Sequence, residues 1–285
     1  MELYKRPQLT LNLVGCSDSA KGICRSISTR DKLIKCKDEI YFYDHNFEIQ
    51  AQIPLRVDYI AKYIHDDIFY TCKNNLCIWD TNELEIVYTV KSNIHICSSL
   101  DEQCIAVGLE NKIGQVDLRV GIITNAYSCK GTITAIHSKS DNIVYVGDIN
   151  GNIVELDRRT TKPVAINNQK SAVQALYYKD NLISLSNNHL TLWGSDRHYS
   201  IDLTTNKPED QDQRQVYDNI NFFKSYLNYL LFPILDGNIG LFNVTTSQLH
   251  LIDGHYTKIS SIEVIDKVYT HSIDGIQGIY QWFTL

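Results

Sequence analysis

Short runs of alternating apolar and polar residues recur along the chain, separated by turns rich in Gly, Asn and Asp. The clearest set of runs covers residues 133–136, 143–146, 152–156 and 163–166. Asn150-Gly151, between the second and third runs, favours a tight hairpin turn. Pro163 opens the fourth run, where an edge strand tolerates the loss of a backbone donor. The pattern predicts an antiparallel sheet of four short strands.

The same unit recurs, and the apolar residue near the end of its third strand serves as an anchor for the repeat. The anchors are Tyr43, Trp79, Val116, Leu156, Trp193, Phe242 and Trp282. All three tryptophans of the chain are among them, and an Asp or Asn follows five of the seven. These following residues are Asp44, Asp80, Asp117, Asp157 and Asn243. Seven anchors predict seven sheets.

The two ends of the chain each carry an incomplete unit. Residues 259–282 alternate like three strands, and residues 8–14 alternate like a lone strand. Because an open sheet edge promotes aggregation, we expect the N-terminal strand to complete the last sheet. Sheets joined in this way form an all-β, seven-bladed β-propeller. The prediction treats residues 1–285 as a single domain.

One stretch interrupts the repeat between the fifth and sixth units. Residues 204–215 are polar and poor in strand-forming residues, which predicts a flexible surface loop. The aromatic residues that follow are also compatible with helical spacing; they are Phe222, Phe223, Tyr226 and Tyr229. We predict a strand pair here, because each neighbouring unit has one.

Composition limits the function. The formal net charge of −6 provides no overall basic field, so direct binding of nucleic acid is not expected. The sequence contains no apolar run of about 18 residues, and its start lacks an apolar secretory core, so neither a membrane span nor export is expected. The eight cysteines include no Cys-x-x-Cys pair. We therefore expect a reducing compartment, nuclear or cytoplasmic, and neither a metal site nor a cofactor.

Two dipeptides resemble the signature of WD repeats. They are Trp79-Asp80 in the second unit and Gly254-His255 at the start of the seventh. Together with the spacing of the anchors, they make nearly the whole chain similar to the WD-repeat family. The resemblance implies a propeller that acts through its surface.

His255, Ser272 and Asp274 supply every group of a hydrolytic triad. In WD repeats the same residue types form a structural network, in which the His bonds the turn Asp and the Ser links them to a Trp indole. We interpret these three residues and Trp282 as such a network, because buried polar groups need partners, and we predict no catalytic residue. Trp282 follows Asp274 by eight residues, whereas the usual spacing is six, which leaves a distorted network as an alternative.

Two sets of surface residues are candidates for partner binding. One set precedes the first strands and is predicted to crowd the mouth of the central channel: Arg56, Asn93, Thr132, Asn219 and Lys258. The other consists of two Asp-x-Arg segments, 117–119 and 157–159, at the ends of third strands. Arg119 and Arg159 either extend toward a partner carboxylate or pair with their own Asp117 and Asp157, and the sequence leaves both options open. For the two Asp residues a structural role is favoured.

The Asp-x-Arg ending resembles the one that WD-repeat substrate receptors present to the damaged-DNA-binding adaptor of cullin-RING ubiquitin ligases. Segments 76–84, 104–108, 231–233 and 254–256 are similar, in the same order, to the Cockayne syndrome group A family. The resemblance implies a non-enzymatic substrate receptor in transcription-coupled nucleotide excision repair. Its partners would be that adaptor and a repair ATPase.

The chain departs from the family at the anchors that precede the Asp-x-Arg segments. Val116 and Leu156 stand where family members carry Trp. The alternative is a scaffold subunit of another multiprotein complex, such as ribosome-associated or RNA-processing machinery, without a ligase.

Overall fold

The structure is a computed structural model. It describes residues 9–18, 25–29, 32–36, 38–44, 48–62, 68–160, 163–186, 189–194, 198–203, 223–234, 237–265, 267–273 and 275–284. Within these residues every regular element is a strand, and the strands form seven antiparallel sheets of four. The sheets are arranged as a seven-bladed β-propeller, which confirms the predicted fold class.

The strands are numbered in chain order, and β1 (Leu9–Asp18) precedes blade one. Blade one consists of β2 (Arg25–Ser28), β3 (Leu33–Cys36), β4 (Ile40–Tyr43) and β5 (Ile49–Ile53). Blade two consists of β6 (Tyr59–Lys62), β7 (Ile68–Lys73), β8 (Asn75–Asp80) and β9 (Glu85–Val90). Blade three consists of β10 (Ile96–Ser99), β11 (Cys104–Leu109), β12 (Lys112–Asp117) and β13 (Ile122–Ser128).

The remaining blades follow the same order. Blade four consists of β14 (Ile133–Ser140), β15 (Ile143–Asp148), β16 (Asn152–Asp157) and β17 (Val164–Asn168). Blade five consists of β18 (Ala175–Tyr178), β19 (Leu182–Leu185), β20 (His189–Trp193) and β21 (His198–Asp202). Blade six consists of β22 (Lys224–Tyr226), β23 (Tyr229–Pro233), β24 (Ile239–Asn243) and β25 (Gln248–Ile252). Blade seven contains β26 (Ile259–Val264), β27 (Val268–Ser272) and β28 (Ile276–Thr284).

The N-terminal strand completes blade seven. β1 pairs antiparallel with β28, in register from Leu9 opposite Thr284 to Asp18 opposite Ile276. The sheet order is therefore β1-β28-β27-β26, and the predicted closure is confirmed. The strand continues beyond residue 14, through an irregularity between Leu13 and Gly15.

The turn of blade four shows why local sequence produces the hairpins. Gly151 has a φ of +83°, a left-handed conformation that favours glycine. The Asp148 side chain accepts hydrogen bonds from the backbone N–H groups of Asn150 (3.0 Å) and Asn152 (2.9 Å). A Cβ added at Gly151 would lie 2.6 Å from the carbonyl oxygen of Ser171. Only glycine therefore fits this turn without strain.

The strand pair that opens blade six is also confirmed. β22 and β23 are antiparallel, with Tyr226 opposite Tyr229. Leu227 in the turn between them has a φ of +53°, which a helix would not accommodate. Phe222 and the predicted loop at 204–215 lie outside the described residues.

The chain divides into two compact units. One comprises Asp38–Ile40 and Gln52–Asn221 and holds blades two to five. In this unit the first strands of adjacent blades contact each other, β10 with β14 and β14 with β18. The first strand of each blade is therefore the inner one and the fourth is the outer one. Apolar side chains such as Tyr70, Ile105 and Val146 fill the space between blades two, three and four, where each contributes roughly 1.5–3 kcal/mol.

The other unit comprises Met1–Lys37, Tyr41–Ala51 and Phe222–Leu285. Its described apolar core lies between blades six and seven and includes Leu231, Leu241, Ile259 and Tyr280, all fully buried. Blades seven and one are joined in part by polar contacts. The Ser26 hydroxyl donates to Glu263 (3.1 Å), and the Lys35 ammonium donates to Gln277 (2.5 Å).

Deleting residues 1–18 removes β1 and leaves the backbone groups of β28 unpaired along a whole edge. We expect the shortened protein to aggregate, or to lose several kcal/mol of unfolding free energy, because blade seven loses its fourth strand. Size-exclusion chromatography and thermal unfolding measure both effects. Adding a synthetic peptide of residues 9–18 should restore the monomer, whereas an unchanged melting temperature in the deletion variant would contradict the role of β1.

Candidate functional site

The Asp-x-Arg rim consists of residues 117–119 on blade three and 157–159 on blade four. Each segment begins at the end of a third strand and continues into the turn toward the fourth. The Asp117 carboxylate accepts hydrogen bonds from the backbone N–H of Arg119 (3.0 Å), its Nε (3.0 Å) and its Nη2 (2.5 Å). The Asp157 carboxylate accepts three equivalent hydrogen bonds from Arg159: from its backbone N–H (2.9 Å), its Nε (2.9 Å) and its Nη2 (2.6 Å). Each arginine is therefore held by the carboxylate of its own turn.

The arginine is nevertheless the outward-facing member of each pair. The side chains of Arg119 and Arg159 are both 65% exposed, whereas those of Asp117 and Asp157 are 20% and 23% exposed. Hydrogen bonds from the paired arginine side chain lower the pKa of each carboxyl to about 2. Both pairs thus stay ionised over the physiological range. A bidentate pair fixes the guanidinium orientation while leaving outward N–H groups available to a partner.

The Asp or Asn that follows the anchor residue has a second role, which does not depend on Arg. In blade two the Asp80 side chain accepts from the backbone N–H of Asn82 (2.7 Å), and in blade six Asn243 accepts from that of Thr245 (3.0 Å). Neither turn carries an Arg two residues after the Asp or Asn. In blades two, three, four and six, the side chain after the anchor therefore caps the turn that leads to the outer strand. This is the structural role that the sequence predicted for Asp117 and Asp157.

Arg158 forms a contact that sequence reasoning missed. Its Nη1 donates to the Asp101 carboxylate (2.8 Å) and to the carbonyl oxygen of Asp141 (3.0 Å). Burial opposes ionisation of Asp101, but the Gln103 N–H and the Arg158 guanidinium outweigh it and lower its pKa. The ion pair joins the turn between the first and second strands of blade three to the Asp-x-Arg segment of blade four. No local pattern signals it, since the two residues are 57 positions apart.

The predicted mouth residues lie at the other end of the strands from the rim. Each precedes a first strand, at the end of the blade where the second strand turns into the third. Arg56, Asn93 and Thr132 are exposed, and Lys258 is partly buried, which lowers its pKa. Asn219 lies outside the described residues. Within blades two to four, the structure thus does not bring the described members of the two candidate sets together.

The predicted network of blade seven needs correction. His255 Nε2 bonds the hydroxyl of Thr270 at 2.6 Å. The Ser272 hydroxyl donates to the carbonyl oxygen of Ile276 (3.1 Å), which closes its own turn. The indole N–H of Trp282 is buried and has no hydrogen-bond partner among the described residues. The predicted link from Ser272 to Trp282 is therefore wrong, and Asp274 lies outside the described residues.

The strand register explains the error. In blades two and five a third-strand Trp donates to a second-strand hydroxyl: Trp79 to Thr71 and Trp193 to Ser184, both at 2.8 Å. Each hydroxyl residue lies opposite the residue two positions before the Trp, Cys77 in blade two and Thr191 in blade five.

In blade seven, the residue that lies opposite the position two before the anchor is Thr270 and not Ser272. Thr270 lies opposite Gly278, two positions before Tyr280. Tyr280 thus occupies the anchor position, and Thr270 takes the place predicted for Ser272. Tyr280 follows Asp274 by the usual six residues, a signal that the sequence did contain. Trp282 instead stacks on Tyr226 of blade six, with ring centroids 4.5 Å apart.

A second cluster of charged groups is buried where blades six, seven and one meet. Glu263, 2% exposed, accepts from Lys224 of blade six (2.8 Å) and from Ser26 of blade one (3.1 Å). Burial raises its pKa, although Lys224 and the hydroxyl groups act in the opposite direction. Its Oε2 has no hydrogen-bond partner among the described residues. These contacts connect the first strands of three consecutive blades, which indicates a structural role.

Two features are absent from the described residues. No group of three His, Cys, Asp or Glu side chains there is arranged to hold a metal ion. Nor does that part of the chain contain a helix long and apolar enough to cross a membrane.

Comparisons with known proteins show the fold alone. No protein-family model and no curated protein matches the sequence. The crystal structure of a mitotic checkpoint complex contains a similar chain, with a TM-score of 0.78 and 12% identity over 99% of this chain and 95% of that one. The crystal structure of the computationally designed Ika8 protein has a TM-score of 0.63 and 15% identity, over 92% and 97%. At these identities the similarity extends to the fold and no further.

The contact between His255 and Thr270 can be measured with a double-mutant cycle. We expect His255→Ala to lower the unfolding free energy by about 1–3 kcal/mol, because it leaves a buried hydroxyl without one of its partners. Combining it with Thr270→Val should reveal a coupling energy of about 0.5 kcal/mol or more in denaturant unfolding. The matched cycle of Ser272→Ala and Trp282→Phe should show no coupling, and a coupling there would restore the original network.

Glu263 predicts a pH-dependent effect on stability. Its raised pKa means that the folded state binds more protons than the unfolded state, so its contribution to stability falls as pH rises from about 4 toward neutrality. We expect Glu263→Gln to raise the melting temperature at pH 7 and to have little effect at pH 3. Lys224→Gln should lower the melting temperature at pH 7 only, since it leaves the buried carboxylate unpaired. Equal effects of Glu263→Gln at both pH values would contradict the assignment.

Proposed function

We propose that this protein is a non-enzymatic interaction scaffold that serves as a substrate receptor of a cullin-RING ubiquitin ligase. It would dock on the damaged-DNA-binding adaptor through Arg119 and Arg159. The observation that carries the proposal is the repeated geometry of the two Asp-x-Arg segments. On neighbouring blades, each presents an arginine with the same three internal hydrogen bonds and the same 65% exposure.

The arrangement suits recognition of an acidic protein surface. The paired Asp fixes each guanidinium before binding, which reduces the entropy lost when a partner carboxylate is engaged. The ion pair between Arg158 and Asp101 joins blade four to blade three, and we expect it to limit the movement of one arginine relative to the other. Arginine is also enriched among the residues that dominate binding energy at protein interfaces.

The role in transcription-coupled nucleotide excision repair rests on the sequence resemblance. It is supported by the order of segments 76–84, 104–108, 231–233 and 254–256. A repair ATPase would then be a second partner, and the protein would act in the nucleus or cytoplasm. Direct binding of nucleic acid, insertion into a membrane and a bound cofactor form no part of the proposal.

A second candidate function is favoured by the residues that precede the Asp-x-Arg segments. Val116 and Leu156 replace the Trp that ligase receptors carry there, and both are buried anchors of their blades. A scaffold subunit of a ribosome-associated or RNA-processing complex would need the propeller but not the ligase contact.

The double variant Arg119→Ala and Arg159→Ala tests the docking proposal. Truncation of an interface Arg commonly costs about 2 kcal/mol, so we expect at least a thirtyfold loss of affinity for the purified adaptor in a calorimetric titration. The melting temperature should change little, because exposed ion pairs contribute little to stability. Lys112→Ala is a matched control, since it removes an exposed positive charge at the start of β12, the opposite end of the strand that ends at Asp117.

The outcomes separate the two candidate functions. If the wild-type protein does not bind the adaptor, the receptor proposal fails and the general scaffold is left. If wild type and double variant bind with equal affinity, the adaptor contacts another surface and the assignment of the two arginines is wrong.

A further inference from the structure

The outer strand of blade two differs in its exposed side chains from the outer strands of blades one, four, five and six. β9 carries three consecutive exposed apolar residues: Ile86 (41%), Val87 (60%) and Tyr88 (37%). The outer strands β5, β17, β21 and β25 each present one large apolar side chain that is at least 50% exposed, namely Ile49, Val164, Tyr199 and Leu251. Their remaining exposed positions are mainly polar, as in Gln50, Asn167 and Asp202.

The apolar surface of β9 continues onto blade three. The Tyr88 hydroxyl lies against Gly121, since a Cβ added there would be 1.8 Å from it. Gly121 is flanked by Val120 and Ile122, which are 60% and 59% exposed. The result is a neighbouring set of exposed apolar side chains at the rim of two blades, a feature typical of an interaction surface.

The backbone of β9 is also available for pairing. β9 is the last strand of its sheet and pairs only with β8 among the described strands. An outer strand directs alternate N–H and C=O groups away from its ladder, and these groups can add another extended strand. Its one protective feature is a bulge at Val87, between the pairs Ile78–Tyr88 and Trp79–Ile86, which turns that side chain outward. β9 itself contains neither Lys nor Pro, the residues that usually protect such an edge.

The charges at the ends of the strand identify the occupant. Glu85 begins β9 and Lys91 directly follows it, and both are exposed. Neither takes part in an ion pair within the described residues. In the antiparallel pairing of two β9 strands that is centred on Tyr88, Glu85 of each copy lies opposite Lys91 of the other. A parallel pairing would oppose like charges. The charge pattern therefore complements a second copy related by a twofold axis, which uses the same patch on both molecules.

We propose that β9 is a self-association edge, through which two copies of this protein form a twofold symmetric dimer by antiparallel strand pairing. In this register Tyr88 would lie opposite Tyr88 of the second copy, Val87 opposite Thr89 and Ile86 opposite Val90. A single strand pair with its flanking side chains is smaller than a standard stable interface, so we expect a dissociation constant in the range of about 1–100 µM. The proposal does not depend on the ligase hypothesis.

Sedimentation velocity of the full-length protein tests the proposal between about 1 and 200 µM, at roughly 50 mM salt so that ion pairs are weakly screened. Wild type should shift from monomer to dimer over this range. Val87→Lys should weaken the dimer at least tenfold, because it places a charge directly beside Tyr88, the centre of the proposed strand pair. Val164→Lys, the corresponding change on the outer strand of blade four, should leave dimerisation unchanged. Equal melting temperatures would show that all variants are folded.

Charge reversal tests the arrangement of the strands. Glu85→Lys alone and Lys91→Glu alone should each weaken the dimer about threefold or more, since like charges then face each other twice. The double reversal should restore wild-type affinity, because the opposite charges have only exchanged places. A wild type that stays monomeric at 200 µM overturns the proposal, and so does a Val87→Lys variant that dimerises like wild type. A double reversal that is no better than either single change also overturns it.

Discussion

The fold depends on the pairing of β1 with β28. The other strand pairs within the blades join neighbours in the sequence, so short loops close them at small entropic cost. The pairing of β1 with β28 joins residues from the two ends of the chain, from Leu9 opposite Thr284 to Asp18 opposite Ile276. The loop it closes is nearly the whole chain, so its entropic cost is offset only when many contacts form together. We therefore expect closure to come late in folding and to make the final structure cooperative.

The contacts next to this closure are unusual for a protein core. Glu263 is held by Lys224 on one side and Ser26 on the other, so that three consecutive first strands meet at one buried carboxylate. A buried ion pair seldom stabilises a protein more than apolar residues of the same size would. Its value lies in specificity, because any other neighbour for β26 would leave a charge buried without a partner. We therefore interpret this cluster as favouring the correct order of blades six, seven and one, where the two ends of the chain meet.

In such a fold the surface residues, and not the architecture, indicate the function, because the same architecture serves unrelated roles. The matching chains share 12% and 15% identity with this protein, which shows the architecture alone. The chain's own distinguishing features lie at the turns after the third strands and on one outer strand. There, an arginine is oriented by its neighbouring carboxylate on each of two blades, and Ile86, Val87 and Tyr88 lie exposed side by side. The two proposals rest on these surfaces.

Sequence alone determined the features that depend on near neighbours. The alternation of apolar residues, the Asn150-Gly151 turn and the Asp or Asn after five of the seven anchors predict seven four-stranded units, because each hairpin is specified within about ten residues. The Asp-x-Arg segments could be located in the same way, since both partners of each pair lie in one turn.

Tertiary structure decided whatever depends on register or on contact between blades. Trp282 matches the chemistry of an anchor, but the pairing of Thr270 with Gly278 gives that position to Tyr280. The ion pair between Arg158 and Asp101 and the burial of Glu263 have no local signal, because the partners come from different blades. Local sequence specifies which strands form and where they turn. Only the register within a sheet and the packing of one sheet against the next decide which side chains face each other.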